Sequence, residues 1–300
     1  MSAANRGVRG VAPSQEAGMS AAERGARGVA PSQEAGMSAA ERAPRLRRFE
    51  FAPVRGIWRH ELALYKRYWK SQSFASMVEP TFYLLAFGYG FGSMVAVVAG
   101  FRYLDFVATG VVGTAALFTS IFPGMFNAYI RRVFQHTYDA MLAAPVDVHE
   151  LVTAEALWIA AKSAVYSCTP LIVALFFGLD PSFGMLLVPF VTFFTALGFG
   201  LFGMWTSSVV PSINSFDYVI TGVVTPLFLI AGTFFPVDAL PDWAQKASYL
   251  NPLYHCVELV RDAVFGLDPL ADLGHLGALM AFAALMWLIA VRGMRGRLVD

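Results

Sequence analysis

Residues 181–216 read PSFGMLLVPFVTFFTALGFGLFGMWTSSVVPSINSF and contain no Asp, Glu, Lys, Arg or His. This stretch is longer than one membrane crossing requires, because a helix crosses the hydrocarbon core of a bilayer with about 20 apolar residues. The chain around it is also apolar: 57% of its 300 residues are hydrophobic and 14% are charged, with a mean hydropathy of +0.55. Soluble domains carry about 25% charged residues. The composition therefore predicts an integral membrane protein.

The charged residues are concentrated near the N-terminus. Residues 1–72 hold 13 Lys or Arg and 6 Asp or Glu, which leaves 24 of the 43 charged residues for the other 228. A net charge of +1 excludes a generally basic nucleic-acid binder, so no nucleic-acid partner is expected. Two distant cysteines, Cys168 and Cys256, exclude a disulfide scaffold and a cysteine-based zinc module.

The N-terminal segment is a tandem repeat. MSAANRGVRGVAPSQEAG (1–18) returns as MSAAERGARGVAPSQEAG (19–36), and a third copy begins at residue 37. The unit offers almost no apolar surface, so we predict that residues 1–50 form a disordered tail. The tail has no apolar run of signal-peptide length, and we expect it to remain in the cytoplasm. Because each copy opens with Met, the start codon stays open between Met1, Met19 and Met37.

After the tail, residues 51–72 place aromatic and basic side chains on different faces of a helix, which predicts an amphipathic helix at the membrane interface. Residues 73–295 form the predicted membrane domain. Its six stretches of spanning length are 80–101, 106–130, 156–179, 181–216, 218–237 and 273–291.

The basic residues orient these six spans. The side that holds residues 1–72, 131–150, 211–217 and 292–300 contains 18 Lys or Arg, whereas the other side holds Arg102, Lys246 and Arg261. Cytoplasmic loops carry the excess of basic residues. Both termini are therefore expected in the cytoplasm, in a bacterial inner membrane.

Two connections are too long for simple turns. Residues 129–152 mix charged and apolar residues at helical spacing before Pro145, which predicts a short helix that projects into the cytoplasm. Residues 234–266 are aromatic, amphipathic and interrupted by prolines, which predicts an outer re-entrant helical segment. The predicted fold is an all-α integral membrane protein with six spans and three additional helical elements. These are the amphipathic helix 51–72, the cytoplasmic helix within 129–152 and the outer segment 234–266.

Enzymatic and nucleotide-binding motifs are missing from the sequence. No lysine follows a glycine-rich phosphate loop, so the chain is not expected to hydrolyse ATP alone. Gly88 and Gly92 form a GxxxG pair within the first predicted span, where close helix packing is favoured over a dinucleotide loop. Neither a metal nor a cofactor is expected to bind this chain.

Polar groups in apolar surroundings leave two alternatives open. His255, Glu258 and Asp262 share one helical face. This face is a metal or acid–base site in one interpretation and a polar face at the membrane interface in the favoured one. His275 has no partner in the sequence at the spacing of a metal ligand. Glu79 and Lys162 lie within predicted spans, where ionisable groups suggest function. A proton relay is one interpretation, and an ion pair of Lys162 with Glu79 or Glu155 is the favoured one.

Three segments carry a family resemblance: EPTFYLLAFGYGFG (79–92), TYDAMLAAPV (137–146) and FLIAGTFFPVDALPDWAQ followed by LNPLYHCVELVRDAVFG (228–245 and 250–266). They resemble the type-2 ABC exporter permeases, nearest to the nodulation lipo-oligosaccharide exporter branch. The resemblance covers about residues 50–295. The repeat tail departs from it.

The resemblance implies a permease that pairs with a second copy and with two ATP-binding cassette subunits, which would hold ATP and Mg. Residues 53–72 would be a connecting helix resting on the ATPase, and 131–146 the coupling helix. The residues implied at the coupling interface are Arg131, Arg132, Tyr138, Asp139, Met141 and Leu142. Those implied in translocation or gating are Glu79, Lys162, Phe228, Phe234 and Phe235, although packing is the favoured role for any single Phe.

The expected function is ATP-driven export of an amphiphile, such as a lipo-oligosaccharide, polysaccharide, lipid or drug, whose identity the sequence leaves open. A self-contained secondary transporter is one alternative, although it would show inverted repeats and polar-studded spans. A membrane-embedded transferase is another, and it would need clustered His and Asp at a membrane face. A neighbouring gene for an ATPase would favour the exporter.

Overall fold

The computed structural model describes residues 51–95 and 97–299, so the predicted tail 1–50 lies outside the described residues. The described chain is mostly helical and includes a two-stranded hairpin of β1 (Val97–Val98) and β2 (Phe101–Arg102). Its α-helices are α1 (Phe51–Leu85), α2 (Tyr103–Phe122), α3 (Thr137–Leu142), α4 (Val148–Tyr166), α5 (Thr169–Phe176), α6 (Val188–Val209), α7 (Phe216–Val219), α8 (Thr225–Leu229), α9 (Asp242–Tyr249), α10 (Pro252–Phe265) and α11 (Pro269–Leu298).

Several α-helices continue through wider or tighter turns. The π-helical turns are Ala86–Gly90, Pro123–Asn127, Ile130–Phe134 and Ile220–Val224, and the 3-10 turns are Phe91–Ser93, Phe183–Leu187, Ile213–Ser215 and Val237–Ala239. With these extensions, four stretches are long and apolar enough to cross a membrane: Tyr103–Phe134, Val148–Phe176, Phe183–Val209 and Pro269–Leu298. They confirm the apolar helices predicted at 106–130, 156–179, 181–216 and 273–291.

The other two predicted spans differ from the helices of the described chain. Helix α1 runs without a break through residue 72, so the predicted amphipathic helix and the first span share one helix. The apolar run 80–101 then leaves α-geometry at its glycines and ends in the hairpin, where Gly100 has φ +85°. Glycine weakens a helix interior and permits this left-handed turn. The run therefore divides between a helix and a hairpin.

The predicted fifth span, 218–237, is also interrupted. Its helical part is the shorter apolar helix Ile213–Leu229. Beyond it the chain bends at Gly232, which has φ +78°, before Pro236. A residue with this left-handed backbone geometry ends a helix. Hydropathy alone did not reveal the interruption, because residues 230–237 remain apolar.

Helix α6 lies at the centre of the described bundle and packs against α2, α4 and α11. Its crossing with the π turn of α2 uses glycine: a β-carbon added to Gly124 would lie 2.4 Å from the carbonyl oxygen of Gly200, and one on Gly203 would lie 2.6 Å from that of Ile121. Small residues let membrane helices approach closely. Of the predicted glycine pair, Gly88 packs closely, since a β-carbon there would lie 3.1 Å from Leu104, whereas one on Gly92 would lie at an ordinary van der Waals distance, 3.8 Å from Tyr103.

The two ends of the bundle are built differently. At one end, α10 packs against α2 and α11, and its buried face includes Cys256, Val257 and Val260. At the other end, α3 lies between the end of α2 and the start of α4. The start of α4 is fixed by a capping box, in which Asp147 and Glu150 exchange side-chain to backbone hydrogen bonds. The end near α3 holds the predicted coupling residues.

Candidate functional site: the charged network beside α3

A buried charged network joins four helical segments at the α3 end of the bundle. Arg131, in the last turn of the α2 extension, forms an ion pair with Glu61 of α1, with Nη2 3.0 Å from Oε2. The same guanidinium lies 3.0 Å from Glu155 Oε1 of α4. The Tyr138 hydroxyl of α3 donates to the second oxygen of Glu155. We call Glu61, Arg131, Tyr138 and Glu155 the α3 network.

Burial decides how strong these contacts are. The side chain of Arg131 is 16% exposed, and those of Glu61 and Glu155 are 6% and 3% exposed. Charges this far from water are stable only when they are paired and hydrogen-bonded. Burial of Tyr138, followed by the adjacent Glu155 carboxylate, raises its pKa well above the usual range. Tyr138 therefore stays protonated and acts as a hydrogen-bond donor.

A crevice of about 380 Å³ opens beside the network. The network contributes one cation and two carboxylates, and Lys162 of α4 lines the same crevice. Lys162 and Glu61 face the same crevice, where opposite charges attract beyond contact range. Glu155 pairs with Arg131 and Tyr138 instead of Lys162, which corrects the favoured ion pair for that carboxylate.

Aromatic residues hold α1 against α4 around this network. The Trp58 indole nitrogen donates to the Ala154 carbonyl oxygen at 3.0 Å, and Trp58 and Tyr65 pack edge-to-face on Trp158 at ring-centroid separations of 5.8 and 6.1 Å. Such pairs add stability beyond the area they bury. The N-terminal half of α1 is therefore fixed to α4.

The predicted coupling residues divide between inward and outward positions. Arg131 and Tyr138 point into the network. Tyr138 was expected at the surface of α3, but its side chain is fully buried. Arg132 also turns inward and donates to the Ser207 carbonyl oxygen at 2.5 Å. Asp139 faces outward with 56% exposure and lies 2.8 Å from His136 Nδ1.

Met141 and Leu142 occupy an intermediate position. Both are half-buried against the apolar cluster that contains Tyr138, Leu151 and Met204. The surface beside α3 instead exposes Phe134, at 63%, and Val133, at 36%. Phe134 lies in the predicted coupling segment 131–146, but the resemblance did not imply it at the interface, because the motif that carries the resemblance begins at Thr137. Glu61 was also missed, since it lies 70 residues from its partner Arg131.

The predicted gating aromatics lie toward the opposite end. Phe234 contacts Phe87 beyond α1 and Phe228 of α8, with ring centroids 4.3 and 5.6 Å apart. Phe228 also packs near Phe118 of α2, at 5.7 Å. Phe235 is 38% exposed. Glu79 falls within α1, and the position of its side chain lies outside what the structure describes. The aromatic residues thus join α1, α2 and α8.

The described residues contain no group of three or more His, Cys, Asp or Glu that could hold a metal ion. Four segments share one set of buried ionic contacts next to the partly exposed helix α3. The four spanning stretches place the chain in the class of multi-pass helical membrane proteins, and the α3 network is a polar region at one end of its bundle.

Comparison with known proteins identifies the family within this class. The family model for the ABC-2 type transporter matches residues 54–265, and the chain belongs to this family. Nodulation protein J of Rhizobium leguminosarum bv. trifolii is 31% identical over 81% of this chain and 93% of the relative. The inner membrane transport permease YadH of Escherichia coli K12 is 24% identical over 79% of this chain and 92% of the relative. The resemblance inferred from the sequence is confirmed.

Proposed function

We propose that this chain is the membrane-embedded permease subunit of an ATP-driven exporter. Its membership of the ABC-2 type transporter family supports the proposal. A separate ATP-binding cassette subunit, present in two copies, supplies ATP hydrolysis and holds ATP and Mg. The chain itself binds no cofactor, works with a second copy of itself and contacts membrane lipid. It is not an enzyme.

The proposed topology is a six-span inner-membrane protein with both termini in the cytoplasm. The excess of basic residues on the side that includes 1–72 and 131–150 supports this orientation. In this arrangement α3 faces the cytoplasm, and the hairpin and α10 face outward. Residues 80–101 and 218–237 complete the count of six, with α1 and the segment Ile213–Leu229 as their helical parts.

The proposed substrate is an amphiphile such as a lipo-oligosaccharide, a polysaccharide, a lipid or a drug, taken from the cytoplasm or the inner leaflet. The resemblance of the motifs to the nodulation lipo-oligosaccharide exporter branch supports the first of these. The substrate path runs between two copies of the chain. Phe228 and Phe234 lie near its outer end and form an apolar constriction, in keeping with their mutual contact.

The α3 network is the observation that carries the coupling step of this proposal. ATP binding draws the two ATPase subunits together and displaces α3. Because Tyr138 and Arg131 tie α3 and α2 to the same Glu155, displacement of α3 also moves α2 and α4. Glu61 extends the connection to α1. Packed elements with shared polar contacts move as units in such transitions.

Phe134 offers the cleanest test of ATPase docking. Met141 and Leu142 also stabilise the fold, so their substitution mixes two effects. The change Phe134→Ser removes an exposed anchor, and interfaces depend on a few such anchors. We expect the variant to fold normally but to retain roughly a tenth or less of the co-purified ATPase, since losing such an anchor costs about 1.4 kcal/mol or more.

The matched control is Phe176→Ser, because Phe176 is 85% exposed at the other end of the α4–α5 stretch. It should bind the ATPase as the native chain does. The measurement is detergent co-purification with the proposed ATP-binding cassette subunit, combined with substrate-stimulated ATP hydrolysis. Equal ATPase binding by the native chain and by Phe134→Ser would move the docking site away from α3.

Mass spectrometry of the molecules that co-purify with the permease identifies the substrate class.

A further inference from the structure

A groove of about 330 Å³ lies on the side of the bundle between α4, α6 and α11. The hollow forms where three alanines, Ala156, Ala283 and Ala284, face larger neighbours such as Phe194 and Trp287. Every residue that lines it belongs to one of the spanning stretches Val148–Phe176, Phe183–Val209 and Pro269–Leu298. The groove is therefore part of the surface that the chain presents within the membrane.

The polar groups of the lining are already paired. Thr153 and Trp287 are the lining residues that carry an O–H or N–H group on the side chain, and the Trp287 indole nitrogen donates to the Thr153 hydroxyl at 2.8 Å. That hydroxyl donates in turn to the His149 carbonyl oxygen at 2.6 Å. A polar molecule in the groove would lose its contacts with water without replacement, which costs free energy. The lining is therefore suited to a hydrocarbon chain.

The size of the groove fits a segment of one lipid chain. A cavity of about 150 Å³ binds benzene, so a groove of about 330 Å³ holds roughly twice as much hydrocarbon, about a dozen carbon atoms. Hydrocarbon in the groove gains dispersion contacts with the side chains around it. Met280 and Ala284 are exposed and mark the mouth of the groove. A chain can therefore enter from the side of the bundle.

A basic residue lies in line with this mouth. Ala284 and Arg295 are eleven residues apart on α11, about three turns, so they lie on the same side of the helix. Arg295 is half-buried in the last turn of α11, about 12 Å beyond Trp287 along the axis. No hydrogen bond or ion pair engages its guanidinium group within the described residues, whereas Arg297 of the same turn donates to the Ser208 carbonyl oxygen at 2.9 Å.

The distance between the groove and Arg295 fits the layers of one membrane leaflet. The hydrocarbon core of a bilayer is about 30 Å thick and the bilayer with its head groups about 40–45 Å, so the head groups take about 5–8 Å on each side. Trp287 lies between the groove and Arg295, and tryptophan is enriched at this boundary. Under the proposed topology this end of α11 is cytoplasmic, where anionic lipids are concentrated.

We propose that the groove between α4, α6 and α11 binds an anionic phospholipid of the inner leaflet, with one acyl chain in the groove and its phosphate group at Arg295. A phosphate group offers several acceptor oxygens to the guanidinium donors. A second copy of the chain is the less suitable occupant, because the aromatic residues of the proposed path between copies join α1, α2 and α8, whereas α11 packs mainly against α4, α6 and α10. The assignment to the inner leaflet rests on the proposed topology.

Lipid retention by the purified permease tests the proposal. The full chain is reconstituted into vesicles of equal parts phosphatidylglycerol and phosphatidylcholine with the same acyl chains, and it is then extracted and washed in detergent. Native mass spectrometry counts the lipids of each kind that stay bound and shows whether the chain is a monomer or a dimer. We expect about one retained phospholipid per chain, with phosphatidylglycerol favoured by roughly fivefold, the effect of one basic residue on an anionic lipid.

Two pairs of variants separate the acyl chain from the head group. Ala284→Phe places a ring in the groove and should reduce retention of both lipids by about tenfold or more, since each methylene group excluded costs roughly fourfold in binding. Its control, Ala281→Phe, adds the same ring at an exposed position of α11 outside the groove and should retain the lipid. Arg295→Gln should retain a lipid but lose the preference for phosphatidylglycerol. Arg292→Gln, exposed and about 80° around the helix from Ala284, should keep that preference.

Native lipid retention by Ala284→Phe would overturn the proposal, and so would an unchanged preference in Arg295→Gln. Separation of a dimer into monomers by Ala284→Phe would assign the groove to a second copy and also overturn it. Thermal unfolding checks that each variant is folded; if Ala284→Phe is not, Met280→Trp blocks the mouth instead. Neither ATPase nor ATP is present, so a negative result leaves the export proposal standing. A failure of ATPase docking in the Phe134→Ser test would leave lipid retention unchanged.

Discussion

Replacement of Arg131 by methionine tests the α3 network directly. Methionine keeps the apolar stem of the side chain but removes the guanidinium that joins Glu61 to Glu155. Those carboxylates are 6% and 3% exposed, so water from the adjoining crevice can replace the lost contacts only in part. Breaking a buried pair by removing one partner costs about 3–5 kcal/mol. At about 2–4 °C per kcal/mol for a domain of this size, Tm should fall by roughly 6–20 °C.

The measurement is the thermal unfolding of the purified permease, followed by the fluorescence of its six tryptophans. The triple variant Arg131→Met, Glu61→Gln and Glu155→Gln removes the unpaired charges and should recover most of the lost Tm. Arg292→Met, at an exposed position of α11, should change stability by less than about 0.5 kcal/mol. A single Arg131→Met variant with native Tm, or a triple variant as unstable as the single one, would refute the argument.

Two further predictions concern packing and the tail. Gly124→Ala should destabilise the fold by about 1–3 kcal/mol through overpacking, since its β-carbon would lie 2.4 Å from the Gly200 carbonyl oxygen. The control Gly274→Ala has open space around it and should match or exceed the native Tm, because alanine favours the helix more than glycine does; equal stability of the two variants would contradict the glycine-mediated crossing. A chain starting at Met37 should insert and export normally, because the repeat offers no apolar surface for docking. Failure of that chain to assemble in the membrane would disprove this.

Hydropathy predicted the helix in the apolar run 106–130, which has no internal break. The predicted run 181–216 contains the helix Phe183–Val209 but extends past its end into the next helix, which begins at Ile213. Hydropathy did not predict the course of residues 80–101, because the mean hydropathy of an apolar run is the same for a helix and for a hairpin. The run is rich in glycine, and Gly100 adopts the positive φ of the hairpin turn. Amphipathicity located the helix at residues 51–72 but not its continuation to Leu85. The continuation is supported by tertiary contacts that the local sequence does not encode, such as the hydrogen bond between the hydroxyl groups of Ser73 and Tyr166 at 2.8 Å.

The candidate site was only partly predictable for a similar reason. The resemblance drew attention to residues 131–142, yet it gave no information on which side chains point inward. Arg131 and Glu61 are 70 residues apart, and Tyr138 and Glu155 are 17 apart, so no sequence motif joins them. Such pairs form because helices that are distant in sequence lie side by side in the bundle. Finding them required the three-dimensional arrangement.

The unbroken course of α1 has a mechanical consequence. The helix carries Glu61 near one end and Tyr83 near the other, where Tyr83 lies 6.5 Å from Phe234. At a rise of 1.5 Å per residue, these positions are about 33 Å apart along the axis. A tilt of about 5° around Glu61 would therefore displace Tyr83 by roughly 3 Å, close to the width of a water molecule. A small rotation at one surface of the membrane becomes a full atomic step near the other, with no change inside the helix itself.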